Sequence, residues 1–240
     1  KSAAWADKQV KAWYGKQTAG FQGYAAALHG ARHGEPGSGD ALAALVRETR
    51  TPAIARATAL TAIGPYLSQS TLDVLPTGLS DSDPLVRQAA VGLLDRLPVQ
   101  MRAANALPLL DDPVRAVRIE AARLLAALPA GDLPTEQRSQ LEKGLEEYIK
   151  AQEVMAERPQ AQVNLGNYYT ARGETDSAMG AYTTALELDP RYVPAYINLA
   201  AQLASTRSEI ASRNRNIETL KLSANEYRRR ISITPNVEET

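Results

Sequence analysis

The sequence has no cysteine, which excludes disulfides, thiolate metal sites, cysteine nucleophiles and covalent c-type haem attachment within this chain. It has no surplus of charge either. The 27 Lys and Arg residues are balanced by 27 Asp and Glu, so no broad attraction to nucleic acid or to an anionic membrane is expected. No apolar run approaches the roughly 20 residues that cross a bilayer, and no charged-then-apolar leader opens the chain. Phe occurs once and β-branched runs are scarce, so a sheet is not expected. The first residue is Lys1, which reads as the start of a processed product or an excised fragment.

What the chain has is alanine and repetition. Abundant alanine with scattered leucine is the composition of closely packed helices whose contacts use small residues. Ala55-Arg56, Val86-Arg87 and Val117-Arg118 recur at a constant 31-residue spacing, each followed by a small residue (Ala59, Ala90, Ala121) and then an apolar one (Ile63, Leu94, Leu125). Each segment opens with Thr51-Pro52, Asp83-Pro84 or Asp112-Pro113, where a capping side chain and a proline in the first turn predict three helix starts. Shorter apolar helices are predicted between them, from Ala41 to Glu48, Thr71 to Leu79 and Gln100 to Leu110. Over residues 40–133 this unit of helix, turn and capped helix resembles the HEAT repeat, which implies stacked helix pairs.

A second period follows. In Gln162-Val-Asn-Leu165-Gly166-Asn-Tyr-Tyr169, Gly173, Ala178, Tyr182, Ala185 and Asp189-Pro190, small and large residues alternate as two tightly packed helices require. Gly166 and Ala178 permit close approach, while Leu165, Tyr169 and Tyr182 fill the space between the helices. The pattern resembles the 34-residue TPR motif. Gly144, Tyr148 and Ala151 stand one such period before Ala178, Tyr182 and Ala185, and so predict the second helix of a preceding pair. Tyr196, Leu199 and Ala200 stand one period after Gln162, Leu165 and Gly166, and so predict a further first helix. Its partner, marked by Ser223, Tyr227, Ile231 and Pro235, fits only with 11 inserted residues. Eleven residues are about three turns, so the apolar stripe stays in phase. A long last helix is therefore expected, capped by Thr206 and Glu209 and projecting past its repeat.

The expected organisation is an all-α superhelix in three parts: a lead-in over residues 1–39, HEAT-like repeats over 40–133, and TPR repeats over 134–240. In the lead-in, Trp5 and Trp13 share a first short helix, and Phe21, Tyr24, Ala25 and Leu28 share one face of a second. The order of Trp5-Ala-Asp, Trp13-Tyr-Gly, the Ala27-Leu-His-Gly-Ala-Arg-His-Gly34 helix, HEAT-like array and TPR block is similar to the C-terminal region of bacterial multihaem cytochrome c-like proteins. That resemblance implies the accessory part of a longer exported, periplasmic protein. The haem-binding Cys-x-x-Cys-His motif of such proteins is missing here, so no cofactor is expected on this chain.

The only histidines, His29 and His33, are four residues apart and could share a helix face, but a metal site needs three or four donors and no third is suggested. Near a helix C-terminus a cationic side chain is favourable without any metal. No phosphate loop, Ser-His-Asp arrangement or zinc-protease helix is present, so the enzymatic reading is remote. The expected function is a non-catalytic scaffold that binds a protein or peptide. By the TPR resemblance, the groove wall comprises Asn164, Asn167, Thr170, Ile197, Asn198 and Ala201. A clamp for a terminal carboxylate is not expected, because Val163 and Ala201 stand where Lys or Arg would be needed. Arg228, Arg229 and Arg230 form a short basic cluster followed by Glu238 and Glu239. The alternative function is structural: Ile210, Ile217 and Leu220 would form an exposed patch on the last helix that makes a homodimer.

Overall fold

The computed structural model describes residues 2–15, 23–129, 131 and 133–233, and among these it contains helices and turns but no strand. Phe21, Pro235, Glu238 and Glu239 lie outside the described residues, as do the side chains of Tyr227, Arg228, Arg229, Arg230 and Ile231. The chain divides into two compact units, residues 1–148 and 149–240.

The first unit opens with α1 (Ala3–Tyr14) and α2 (Tyr24–His33). It continues through α3 (Ser38–Arg47), α4 (Ala53–Ala62), α5 (Gln69–Leu72) and α6 (Leu75–Leu79). Then come α7 (Pro84–Leu94), α8 (Val99–Ala106), α9 (Arg115–Leu125) and most of α10 (Thr135–Glu153). The tyrosine hydroxyl of Tyr66 ties the lead-in to this array by donating to the Ala31 carbonyl at 2.6 Å. Helices α4, α7 and α9 lie side by side. They bury all nine of the periodic positions: Ala55, Val86 and Val117, Ala59, Ala90 and Ala121, and Ile63, Leu94 and Leu125. The alanines set the close spacing, and each fully buried large side chain contributes about 1.5–3 kcal/mol.

The three helix starts differ from one another. Asp83 caps α7 as expected, its carboxylate accepting from the Leu85 amide at 2.9 Å. Thr51 does not cap α4, whose flanking residue is Pro52, and α9 begins two residues beyond Pro113. Asp112 nevertheless accepts from the Val114 amide at 2.8 Å, the contact that Asp83 makes to Leu85, and one arginine arrangement is common to all three turns. Arg56 Nη1 donates to the Thr49 and Thr51 carbonyls (2.9 and 2.8 Å), while its Nη2 reaches Asp81 at 2.8 Å, 25 residues ahead. Arg87 repeats the gesture, binding the Asp81 and Ser82 carbonyls and gripping both oxygens of Asp112 at 2.7 and 2.9 Å. Arg118 binds the Asp112 and Pro113 carbonyls and grips Glu147 at 2.8 and 3.1 Å. Each arginine thus holds the turn of its own helix pair and a carboxylate of the next.

These rungs are buried to different depths: Arg56 is the most enclosed guanidinium, Asp112 the most enclosed carboxylate, and the Arg118–Glu147 pair the most open. Burial alone would raise the Asp112 carboxyl pKa, but hydrogen bonds from Arg87 and the Val114 amide outweigh it and hold the group below the usual carboxylate range. The Arg118 hydrogen bond does the same for Glu147. Glu147 lies on α10, and α10 packs against α9 through Gly144, where a Cβ would come within 2.7 Å of the Ala122 methyl. Tyr148 is buried on the same helix, and desolvation pushes its hydroxyl pKa up to about 12. Gly144 and Tyr148, which the 34-residue period assigns to a preceding TPR pair, therefore belong to the packing of the first unit.

In the second unit α11 (Pro159–Ala171) and α12 (Thr175–Leu188) form an antiparallel pair turned by Gly173, whose φ of 73° suits only glycine without strain. A Cβ on Gly166 would overlap the Tyr182 ring, so the close approach expected of this glycine is present. Tyr182 packs with Val163, Ala178, Ala185 and Ala195, and Tyr169, Leu186, Tyr192 and Leu199 close over them.

The last element, α13, is one unbroken helix of 41 residues, Val193–Ile233. The expected new start at Thr206 does not occur. Thr206 Oγ1 donates to the Gln202 carbonyl at 3.0 Å inside the helix, and no glycine or proline lies between Pro194 and Pro235 to break it. Among the described side chains of α13, those that pack on the unit lie in its first third: Ala195, Asn198, Leu199, Gln202 and Thr206 are the inward positions, and every residue from Arg207 to Asn225 is exposed.

Candidate protein-binding faces

In the second unit the six expected wall residues fall on α11 and α13, whose polar side chains form two hydrogen-bonded networks. Tyr182 Oη and Asn198 Nδ2 both donate to Asn167 Oδ1 at 2.9 Å. Thr170 Oγ1 pairs with Tyr182 Oη at 3.1 Å and donates to Gln202 Oε1 at 3.2 Å. Asn164 donates to Gln152 and accepts from Gln160, whose side-chain oxygen takes the Tyr192 hydroxyl. The structure thus brings Asn167, Thr170 and Asn198 into one network and places Asn164 in a neighbouring one.

Two consequences follow for binding. The shared oxygen of Asn167 uses both of its lone pairs internally, which leaves Asn167 Nδ2 as a donor and Asn198 Oδ1 as an acceptor. Beside them Ile197 is 62 % exposed and Ala201 is exposed. The wall therefore offers one donor, one acceptor and an apolar surface, and it is held rigid by its own hydrogen bonds.

A further face was not anticipated from the sequence. On the first unit an open cleft of about 450 Å³ runs over α4 and α7 to Glu120 on α9. Ala57 and Ala89 line it beside Thr58, Thr61 and Gln88, and Ile54 (61 % exposed) and Leu85 (41 %) are apolar groups left open to solvent. Glu120 is held by Arg123, which bonds it at 2.7 Å and reaches Asp95 at 3.3 Å. The signal was available in principle. Ile54 and Leu85 occupy equivalent positions in successive repeats, as do Thr58, Ala89 and Glu120.

Among the described residues no group of three His, Cys, Asp or Glu side chains could hold a metal ion. His29 and His33 stack with ring centroids 4.1 Å apart, and His33 Nδ1 lies 2.9 Å from the His29 carbonyl, an arrangement local to the end of α2. Among the described residues no helix is long and apolar enough to cross a membrane.

Helix pairs in a fixed 31-residue register, joined by arginine rungs, define the first unit as a helical-repeat array. Residues 39–126 match the family model of HEAT repeats. No curated protein and no solved structure matches the chain.

Proposed function

We propose that the chain is a non-catalytic scaffold that binds a protein or peptide, with HEAT-type repeats in the first unit and TPR-type repeats in the second. The reading is carried by the wall at Asn167, Ile197 and Asn198. A free amide donor and a free amide acceptor beside an exposed apolar side chain supply the three functions with which an extended peptide is gripped. The HEAT match supports protein binding by the first unit, where the cleft beside Ile54 and Leu85 is the candidate surface. The resemblance to multihaem cytochrome-like proteins supports a place for this chain as the accessory module of a longer periplasmic protein.

The test is selection of peptides from a randomised display library against the full chain. Asn167→Trp with Asn198→Trp should weaken the selected peptides at least ten-fold, and Leu85→Arg should spare them. Equal binding by all variants would remove the wall from the function.

A second reading is favoured by one observation, the stretch of α13 in which every residue is exposed. A helix without tertiary contacts is only marginally stable in water, so this stretch calls for a covering partner. Ile210, Ile217 and Leu220 lie on it and are all exposed, as a homodimer patch would need.

A further inference from the structure

The exposed part of α13 carries a repeat of its own. Leu203, Ile210, Ile217 and Ala224 fall at intervals of seven, and Thr206, Arg213 and Leu220 fall three residues after the first three of them. That is the spacing of the two inward positions of a coiled coil. From Arg207 to Ile233 the helix extends about 40 Å at 1.5 Å per residue, long enough for more than three such repeats.

The order of residues along this seam identifies what covers it. Ile217 and Leu220 are equidistant from a midpoint between residues 218 and 219, and so are Arg213 and Ala224. Reversed end for end, the seam sets its large apolar residues against each other and its one long charged residue against its smallest. A parallel, in-register pair would instead face Arg213 with Arg213 in a single desolvated layer, an unfavourable like-charge contact. In the reversed register the flanking positions bring Asn214 against Lys221, Asn216 against Ser223 and Glu209 against Arg230, and the one like-charge pair, Arg207 against Arg228, falls at the outer ends. A seam complementary to its own reversal is what a twofold, isologous contact requires.

We infer that two copies of the chain pair antiparallel along α13 over residues 207–230, with Ile217 of each copy on Leu220 of the other and Arg213 of each across Ala224 of the other. The inference deepens the dimer reading by fixing its surface and direction. It does not depend on the peptide wall.

Light scattering of the full chain across concentrations should show a monomer–dimer equilibrium. Ile217→Asp should raise its dissociation constant at least ten-fold, and Leu220→Asp should do the same. Both sites are exposed, so at a concentration where the native chain is monomeric thermal unfolding of the second unit should be the same in both variants. Because the native chain has no cysteine, direction is read by mixing Arg213→Cys and Ala224→Cys proteins under mild oxidation and mapping the disulfides by mass spectrometry. A 213–224 cross-link supports the antiparallel pair. A dimer that cross-links 213 to 213 overturns the direction while leaving the dimer reading intact. A dimer unaffected by either Asp variant overturns the surface, and a monomer at every concentration overturns both.

Discussion

The two units solve the same packing problem with different polar chemistry. In the first, each helix pair is fastened to the next by a buried or half-buried guanidinium and a carboxylate, at Arg56–Asp81, Arg87–Asp112 and Arg118–Glu147. In the second, the polar fastening is neutral, through Tyr182, Asn167, Thr170, Asn198 and Gln202. Charged fasteners respond to pH and lose much when one partner goes, because an abandoned buried charge is costly. Neutral ones do not respond to acid and lose less with a partner, and more of the load falls on the steric fit between Gly166 and the Tyr182 ring.

The comparison can be broken most directly at Arg87. Arg87→Ala leaves Asp112 buried without its bidentate partner and should destabilise the first unit by about 3–5 kcal/mol, seen as faster amide exchange in α4, α7 and α9. Next in size is Gly166→Val, whose side chain would have to displace the Tyr182 ring. It should destabilise the second unit by about 1–3 kcal/mol, measured by exchange in α11 and α12.

Acid should then separate the two units. The Asp112 and Glu147 pKa values are lowered in the folded state, so their contribution is complete above the ordinary carboxylate range of about pH 4. It is lost as pH falls through the lowered values. Amides of α7 and α9 should lose protection in that window while those of α11 and α12 hold theirs, and equal loss in both would contradict the contrast. The smallest effect belongs to Asn167→Ala, which removes the acceptor shared by Tyr182 and Asn198. It should cost about 1 kcal/mol in the second unit, measured by urea unfolding.

The helical core was legible because its signal is local and periodic. Val86, Ala90 and Leu94 repeat at Val117, Ala121 and Leu125, and burial follows directly. The role of the arginines was not legible, although the Val-Arg pairs were visible. Their carboxylates stand 25 or 29 residues away, and only the turn geometry brings them together. At the helix starts Asp112 does cap its turn, accepting from the Val114 amide at 2.8 Å, and it takes the Arg87 guanidinium as well, a partner that no local pattern shows.

The last helix was misdivided because Thr206 and Glu209 resemble a capping box. A threonine inside a helix can bond back to the preceding turn, and with no breaker nearby that outcome prevails. In the candidate wall the residue types were readable, but not that Asn167 Oδ1 would be used up by Tyr182 and Asn198. The cleft beside Ile54 and Leu85 went unseen because an isolated exposed aliphatic residue in a sequence looks like any other surface position.

The arginine rungs also give the array a polarity that bears on its ancestry. Every guanidinium points forward, so duplicating one whole 31-residue module would insert a compatible donor and acceptor together, whereas gain or loss of a partial module would orphan a charge. At the last rung the acceptor changes: Glu147, on the longer helix α10 and 29 residues ahead instead of 25, receives the final arginine, so a module added there would have to bring its own carboxylate.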